Sequence, residues 1–523
     1  MKAATLLNLF GVVLTAGAFA ASIVTVATRT AREAAPEQIT IRMCHWQLEA
    51  GMRDAFDAVA KEYSRLHPNV RIEQIAVPGR VYGSYTRTRL AGRNVPDLVE
   101  VGDQTDELLT RHFLPLTRYV EQPNPYNAGT DLEGVPWRDT FIDGLGHAPG
   151  LESLQEYYAI PNSIVTVRVY YNKPLYRAIM GHDRPPETYE AFLDVCRRAQ
   201  RHLGTDGRPI QPLAGSRFNA NILLDALFRS QTQKLAREID ELGQLRTPAH
   251  PALAFLNERV SFDHPAIRDG LQLMREVGIM MPAGFLQLDR EDAIFYFAQQ
   301  RALMIVTGSW DYRSIADQSP FEIGLFPIPL PSPDDPTYGR HVLGPVAEGG
   351  RGLGINFCVS NDSKHPEVAI NFLRFLTSRR GHELFVGISK WLPVVLGVEP
   401  AEETLAFRPI PEGYTDGFHI APIMWGSGEM YRVQSNHLHR LLTPDGSVET
   451  FVSLMRAELP AAVHADTLRL IKSYDENVRR SDSTLTALRR RDGDGKLSAG
   501  WETQNAQEAD LYWLRRRLAQ AGG

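Results

Sequence analysis

Cysteine is scarce in this chain, and its scarcity excludes two classes of site. The 523 residues include three cysteines, Cys44, Cys196 and Cys358. They lie far apart and in no CxxC or Cys/His spacing, so the sequence predicts neither a zinc site nor a disulfide framework. We interpret all three as small buried hydrophobic side chains, and an odd number leaves at least one thiol free. No metal ion and no cofactor is expected.

Other signatures are missing as well. The formal net charge is −6, from 56 basic and 62 acidic side chains. No stripe of Lys and Arg is long enough to follow a phosphate backbone, which argues against nucleic acid as a partner. The chain also lacks a Ser-centred nucleophile elbow, an HExxH motif, a P-loop and a GxGxxG loop. The sequence therefore predicts no catalytic residues and no enzymatic activity.

What is present is an ordinary globular composition with one exception at the N-terminus. Hydrophobic residues make up 43% of the chain and charged residues 23%, which fits two or three soluble domains. Residues 3–28 carry no charge and are mostly apolar. Such a segment is either a cleaved signal peptide or an uncleaved membrane anchor. Both interpretations predict an exported protein, periplasmic or at the cell surface.

The pattern after this segment indicates an α/β fold. Residues 39–44 and 70–75 alternate as strands do, and residues 51–66 between them have the apolar spacing of a helix. Residues 96–101 predict a third strand. Strand, helix and strand in this order are typical of a parallel sheet.

The same alternation returns later in the chain. Residues 157–171 are rich in β-formers, and residues 302–306 and 323–328 are short apolar runs bounded by turn residues. Residues 352–359 predict one further strand, followed by an amphipathic helix over residues 366–376. We found no internal repeat of fixed period.

A series of short motifs runs through this region in a fixed order. They are HPNVRI at 67–72, PDLVEVGD at 96–103, YYNK at 170–173, PPETYEAF at 185–192 and ALMIVTGSW at 302–310. In this order they resemble landmarks of the extracellular solute-binding proteins of ABC importers, in the sugar-binding family whose members look like maltose-binding protein. The likeness covers roughly residues 39–395.

The resemblance implies a two-lobed, type II periplasmic-binding-protein-like fold, with hinge-linked lobes and a helical C-terminal extension. The predicted divisions are 1–37 for the signal peptide or anchor and linker, 38–150 and 338–390 for lobe 1, 155–335 and 395–475 for lobe 2, and 476–523 for a charged helical tail.

The implied function is capture of a sugar or oligosaccharide in the cleft between the lobes, with delivery to the permease of an ABC-type importer. A sugar needs polar partners for its hydroxyls and aromatic rings for its flat C–H faces. The candidate ligand-binding residues are Trp46, Gln47, Tyr85, Asp103, Asn172, Trp310, Arg351, Trp391 and Trp425.

Each candidate also has a structural alternative. The aromatic side chains could instead fill a core. Asn172 could bond its own backbone in a turn. Asp103 follows a predicted strand, where open α/β sheets place their ligands, but it could also be a solvated loop acid. Arg351, beside a glycine pair, is equally plausible as a surface residue.

Two further functions compete with capture. One is a glycoside-processing enzyme with two carboxylates flanking the bond. The other is a surface interaction protein with a calcium-binding tail, suggested by the Asp- and Gly-rich loop at residues 492–498. An EF-hand loop aligned on these residues would begin at Arg490 and end at Trp501, neither of which supplies a carboxylate. The loop therefore resembles a degraded site.

Overall fold

The computed structural model of this chain describes residue 22 and residues 38–102, 106–154, 156–205, 207–240, 249–348, 352–419, 428–492 and 498–522. Apart from residue 22, the charge-free N-terminal segment and the linker after it lie outside these ranges. Among the helices within them, every one is too short or too polar to cross a membrane.

Strands and helices alternate through most of the described chain. The strands are β1 (Ile39–His45), β2 (Val70–Ala76), β3 (Leu98–Val101), β4 (Ala159–Ile160), β5 (Ser163–Ile164), β6 (Val167–Asn172), β7 (Gln211–Ala214), β8 (Ala302–Gly308), β9 (Ile323–Phe326), β10 (Leu353–Gly354) and β11 (Asn356–Val359).

The α-helices of the described residues fall into three stretches of chain. Before β7 lie α1 (Met52–Leu66), α2 (Gly79–Ala91), α3 (Asp106–His112), α4 (Thr117–Val120), α5 (Leu151–Leu154), α6 (Lys173–Met180) and α7 (Tyr189–Arg201). Between β7 and β10 lie α8 (Arg217–Gln231), α9 (Gln233–Glu238), α10 (Ala249–Leu256), α11 (Pro265–Gly278), α12 (Arg290–Ala298) and α13 (Tyr312–Gln318). After β11 lie α14 (Pro366–Leu376), α15 (Arg379–Ser389), α16 (Gly428–His437), α17 (His439–Leu442), α18 (Val448–Asp492) and α19 (Ser498–Gly522).

The first sheet has the strand order β2-β1-β3-β11-β4. β1 pairs in parallel with both β2 and β3, which confirms the predicted strand-helix-strand unit. β11 pairs antiparallel with β3 and β4. Helix α1 buries Phe56, Val59 and Tyr63 against this sheet. The turn before α1 needs glycine, because Gly51 has a φ of 78° and a Cβ there would meet the side chain of Arg313.

The second sheet has the order β7-β8-β6-β9 and is covered on both faces. β6 is antiparallel to β8 and β9. As in any strand, its successive side chains point to opposite faces of the sheet. Val169 and Tyr171 belong to the core that includes α7, α8 and α11. Tyr170 belongs instead to the core that includes α12, α13 and the first sheet. One apolar core therefore runs from the first sheet to one face of the second.

A two-stranded ribbon, β5 paired antiparallel with β10, lies in the chain between the two sheets. The single strand predicted over residues 352–359 is wrong in this respect. Ile355, with a φ of 54°, separates β10 from β11. This left-handed residue sends β10 to the ribbon and β11 to the first sheet, a change of partner that apolar alternation does not reveal.

The last part of the described chain is helical, as predicted. Met430, Leu441, Phe451 and Met455, from α16, α17 and α18, join the core of the second sheet. α18 runs for 45 residues without a break at residue 475. It also packs against α19, and both helices contact α5, which lies in the chain between β3 and β4 of the first sheet.

Candidate functional site

The first wall of the candidate site is the loop after β1. Parallel strands end at one edge of a sheet, so this loop lies beside the end of β3. Trp46 and Gln47 both turn toward Glu100, which is 1% exposed in β3. The Trp46 backbone N–H donates to Glu100 Oε2 at 3.0 Å, and Gln47 Nε2 donates to Glu100 Oε1. A buried carboxylate thus holds two successive residues of the loop.

The indole of Trp46 is held from its other side by α2. It meets the ring of Tyr82 edge-on, with centroids 4.9 Å apart. Tyr82 is buried, and its hydroxyl donates to the carbonyl oxygens of Glu100 at 2.7 Å and Cys44 at 3.2 Å. Trp46 itself stays partly exposed. It is therefore positioned but not enclosed.

Burial changes the protonation of two groups in this wall. It raises the pKa of Glu100 to about 8, although the donors of Gln47 and Trp46 act in the opposite direction. It lowers the pKa of His45 to about 4, and the His45 Nε2 atom lies 3.0 Å from Gln74 Oε1. Burial therefore favours the uncharged form of both side chains.

The second wall comes from the second sheet. Trp310 and Asp311 follow β8, Phe218 lies in the first turn of α8, and Arg290 begins α12. The rings of Phe218 and Trp310 meet edge-on at 6.2 Å, and the guanidinium of Arg290 lies 5.7 Å from the Phe218 ring centre. Phe218 is 40% exposed. This wall presents two aromatic side chains beside a cation.

Asp311 lies beneath that cation. It accepts a hydrogen bond from Thr307 Oγ1 at 2.5 Å, and its Oδ1 atom lies 3.6 Å from Arg290 Nη1. Burial raises the pKa of Asp311 to about 6, while Arg290 and Thr307 act to lower it. At neutral pH the carboxyl is therefore mostly ionised and balances the guanidinium.

Two contacts join the walls. Arg290 Nη2 donates to Glu49 Oε1 at 3.2 Å, and the backbone N–H of Ala50 donates to Ser314 Oγ at 3.2 Å. The loop after β1 thus touches the helices that follow β7 and β8. We call this set the interlobe site, and its members are Trp46, Gln47, Glu49, Glu100, Phe218, Arg290, Trp310 and Asp311.

Two polar atoms of the interlobe site are buried without a hydrogen-bond partner among the described residues. They are Trp310 Nε1, which is a donor, and Glu49 Oε2, which is an acceptor. A buried polar atom without a partner costs free energy, and such atoms commonly mark a place where a ligand or water bonds. A hydroxyl group both donates and accepts, so a polyhydroxylated ligand matches this pair.

The structure brings three of the sequence-predicted residues into the interlobe site, Trp46, Gln47 and Trp310. Asp103, Arg351 and Trp425 lie outside the described residues.

Tyr85, Asn172 and Trp391 lie elsewhere. Tyr85 is on α2 with the Arg89 guanidinium 5.1 Å from its ring. Asn172 is fully buried and accepts the backbone N–H of Leu175, as the N-cap of α6. It ends β6, whose other end pairs with Gly308 near Trp310. Trp391 is 5% exposed and packs in the core beside the β5–β10 ribbon.

Five members of the site were not among the sequence-predicted binding residues, Glu49, Glu100, Phe218, Arg290 and Asp311. Asp311 adjoins Trp310, which is the one signal that could have indicated it. Arg290 directly follows the helix N-cap Asp289, lies 20 residues before Trp310 in the chain, and has no local signature of binding. Only the packing of α12 beside β8 brings it to the site.

Metal ligation was not expected from the sequence. Within the described ranges, no group of three or more His, Cys, Asp or Glu side chains is arranged to hold a metal ion. All three cysteines are buried and free, and burial raises the pKa of Cys44 to about 11. The interpretation of the cysteines as buried hydrophobic side chains is confirmed.

Comparison with known proteins gives the same architecture. The Multiple sugar-binding protein of Streptococcus mutans serotype c is 20% identical over 392 residues, which is 75% of this chain and 83% of the relative. The solved structure of the solute-binding protein RafE in complex with raffinose has a TM-score of 0.56 at 18% identity, covering 80% of this chain and 98% of RafE. MalE from Bdellovibrio bacteriovorus bound to maltotriose has a TM-score of 0.52 at 15% identity, covering 80% of this chain and 98% of MalE.

The structural likeness establishes the two-lobed α/β fold. The sequence matches the family described as bacterial extracellular solute-binding protein over residues 49–383, which is more than half of the chain. This protein belongs to the family of bacterial extracellular solute-binding proteins.

Proposed function

We propose that the protein binds a sugar or oligosaccharide at the interlobe site and delivers it to the permease of an ABC-type importer. The observation that carries the proposal is the pairing of aromatic side chains from both walls with one donor and one acceptor that have no partner among the described residues. In this proposal the aromatic surfaces of Trp46 and Trp310, which contact Tyr82 and Phe218 edge-on, pack on C–H groups of the sugar, and Trp310 Nε1 and Glu49 Oε2 bond its hydroxyls.

The names of similar proteins support the choice of ligand. One relative is a multiple sugar-binding protein, and two structures of the same fold are described with raffinose and with maltotriose. Those sugars are ligands of those proteins. For this chain they define the first compounds to test.

We propose capture without chemistry. A glycosidase needs one carboxyl protonated and a second ionised on either side of the bond. The carboxyl groups of Glu49, Glu291 and Asp311 all lie within 4 Å of the single Arg290 guanidinium, an arrangement of clustered ion pairs and not of two carboxyl groups set on either side of a bond. An unchanged ligand after binding is therefore the expected result.

We also propose that the lobes are divided as the sequence indicates, with 38–150 and 338–390 in lobe 1 and 155–335 and 395–475 in lobe 2, except that β4 pairs with β11 in the first sheet and therefore belongs to lobe 1. The chain is proposed to be exported by residues 3–28, which either are removed or remain as a membrane anchor. N-terminal sequencing of the mature protein and its partition between membrane and soluble fractions distinguish these two outcomes.

The binding proposal is tested by calorimetry and thermal unfolding with raffinose, maltotriose and chitin oligosaccharides. A ligand that binds only the folded protein at one hundred times its Kd adds about 2.7 kcal/mol to the free energy of unfolding. We expect at least one sugar to raise the Tm and to be recovered intact. Release of shorter sugars would establish an enzyme instead, and no response to any sugar, polyol or phosphate ester would contradict the proposal.

A further inference from the structure

We propose that Glu100 is a positioning residue, which sets the orientation of Trp46 and Gln47 toward the ligand through its two carboxylate oxygens. The proposal rests on the proposed function of the interlobe site for its effect on affinity. Its structural part, the coupling of Glu100 to the Trp46 backbone, stands without a ligand.

The geometry converges on one side chain. The Glu100 carboxylate accepts the Trp46 N–H at 3.0 Å on one oxygen and the Gln47 amide on the other. The Glu100 carbonyl accepts the Tyr82 hydroxyl at 2.7 Å, and the Tyr82 ring packs on Trp46. Glu100 therefore fixes the backbone of Trp46 directly and its indole through Tyr82.

The same pair of strands supplies a matched comparison at its other end. Asp97, directly before β3, accepts the backbone N–H of Arg42 at 2.8 Å and the hydroxyl of Ser363 at 2.6 Å. It is 6% exposed. Each carboxyl group thus accepts a backbone N–H, Asp97 from Arg42 within β1 and Glu100 from Trp46 directly after β1. Only the bond to Glu100 lies beside the interlobe site.

The ionised form of Glu100 suits this role best. Both oxygens already accept hydrogen bonds, so a proton on either oxygen competes with the N–H of Trp46 or the amide of Gln47. The titratable groups near the carboxyl are Glu49 from the loop, Cys44 from β1 and Tyr82 from α2, and the residue that pairs with Glu100 on β11 is the apolar Phe357.

None of these neighbours is a cation, and burial raises the Glu100 pKa to about 8. Sugar affinity should therefore strengthen as the pH rises through that value. By reciprocity, sugar binding should release a proton.

The first experiment needs no ligand. The chain has seven tryptophans, so isotope labelling of tryptophan gives few backbone amide signals in NMR. The signal that disappears in Trp46→Phe belongs to Trp46. We expect this signal to titrate between about pH 6 and about pH 9 in the wild type and in Asp97→Asn, and to stay constant in Glu100→Gln. Gln47→Leu removes one donor to the carboxylate and should move the midpoint to higher pH. A Trp46 signal that titrates unchanged in Glu100→Gln would overturn the proposal.

The second experiment measures raffinose affinity by calorimetry over the same pH range. We expect Glu100→Gln to match the wild type at about pH 6 and to bind about tenfold more weakly at about pH 9, the loss expected for one hydrogen bond to a charged acceptor. Asp97→Asn should keep the wild-type profile. Equal affinity of Glu100→Gln and the wild type throughout would overturn the positioning role while capture stands. Absence of raffinose binding together with a titrating Trp46 amide would count against raffinose and support the coupling.

Discussion

The two walls of the interlobe site are built in opposite ways. In the first wall, Trp46 and Gln47 are held by the hydrogen bonds that they donate to the buried carboxyl group of Glu100, and the Trp46 ring contacts Tyr82 edge-on. In the second wall, Trp310 and Phe218 contact each other, and the Trp310 indole N–H has no partner among the described residues.

The difference separates two requirements of a ligand site. Hydrogen bonds made before binding fix the geometry of a side chain, so less conformational entropy is lost when the ligand arrives. A polar atom left without a partner gains its hydrogen bond only from the ligand. Trp46 and Gln47 are therefore organised in advance, whereas Trp310 Nε1 of the second wall and Glu49 Oε2 of the loop after β1 keep unused bonding capacity within the described residues.

The largest expected effect is a loss in the free energy of unfolding at acid pH, caused by His45 at the end of β1. Burial lowers the pKa of His45 to about 4 and that of His382 in α15 to about 3. A lowered pKa contributes stability above the unfolded value near 6.5, and that contribution is lost as the pH falls toward the folded value. For His45 the loss at about pH 5 is about 2 kcal/mol.

Urea unfolding of the wild type and His45→Gln at about pH 7 and about pH 5 measures this effect. Glu100 and Asp311 have raised pKa values and act in the opposite direction, so the difference between the two proteins isolates His45. We expect the variant to lose less stability on acidification. His147→Gln, at an exposed histidine, is the control. Equal acid sensitivity of all three proteins would show that His45 does not set it.

The next effect separates ligand contact from packing. We expect Trp46→Ala and Trp310→Ala each to weaken raffinose or maltotriose binding about thirtyfold, which is about 2 kcal/mol, because each removes a large aromatic surface from the site. Trp513→Ala, on α19, should bind normally. Calorimetry gives the affinities. Wild-type affinity in either variant would show that the substituted tryptophan does not contact the ligand.

The smallest effect concerns the contact between the walls. A double-mutant cycle of Glu49→Gln and Arg290→Gln should give a coupling of about 1 kcal/mol in the free energy of unfolding, since the pair is partly buried. Without ligand, both single variants should have a larger radius of gyration in X-ray scattering than the wild type. Arg268→Gln breaks an ion pair with Glu449 away from the interlobe site and serves as the control. Unchanged scattering from both single variants would show that this pair does not hold the walls together.

The sequence predicted those features that depend on near neighbours in the chain. The alternation of residues 39–44 and 70–75 and the helical spacing between them identified a parallel unit, because both periods are local. The same reasoning placed Trp46 at the carboxyl end of a strand, where it lies. The helical C-terminal extension was also predicted.

Other residues carried local signals that the fold used differently. Asn172 looked like a ligand contact or a turn residue, and it caps α6. Trp391 was a candidate for ligand binding, and it is buried in the core. Glu100 stood in a short apolar strand without any sign that the loop after β1 would bond it.

The sequence by itself determined the α/β class, the order of the main elements and the family likeness, since these follow from short-range periodicity and ordered motifs. Only the tertiary structure decided that Glu100 holds Trp46 and that Arg290 meets Glu49. The first pair is 54 residues apart in the chain and the second 241. Hydrogen bonds and ion pairs act over a few ångströms, so such partners are fixed by how the sheets and helices pack and not by spacing along the chain.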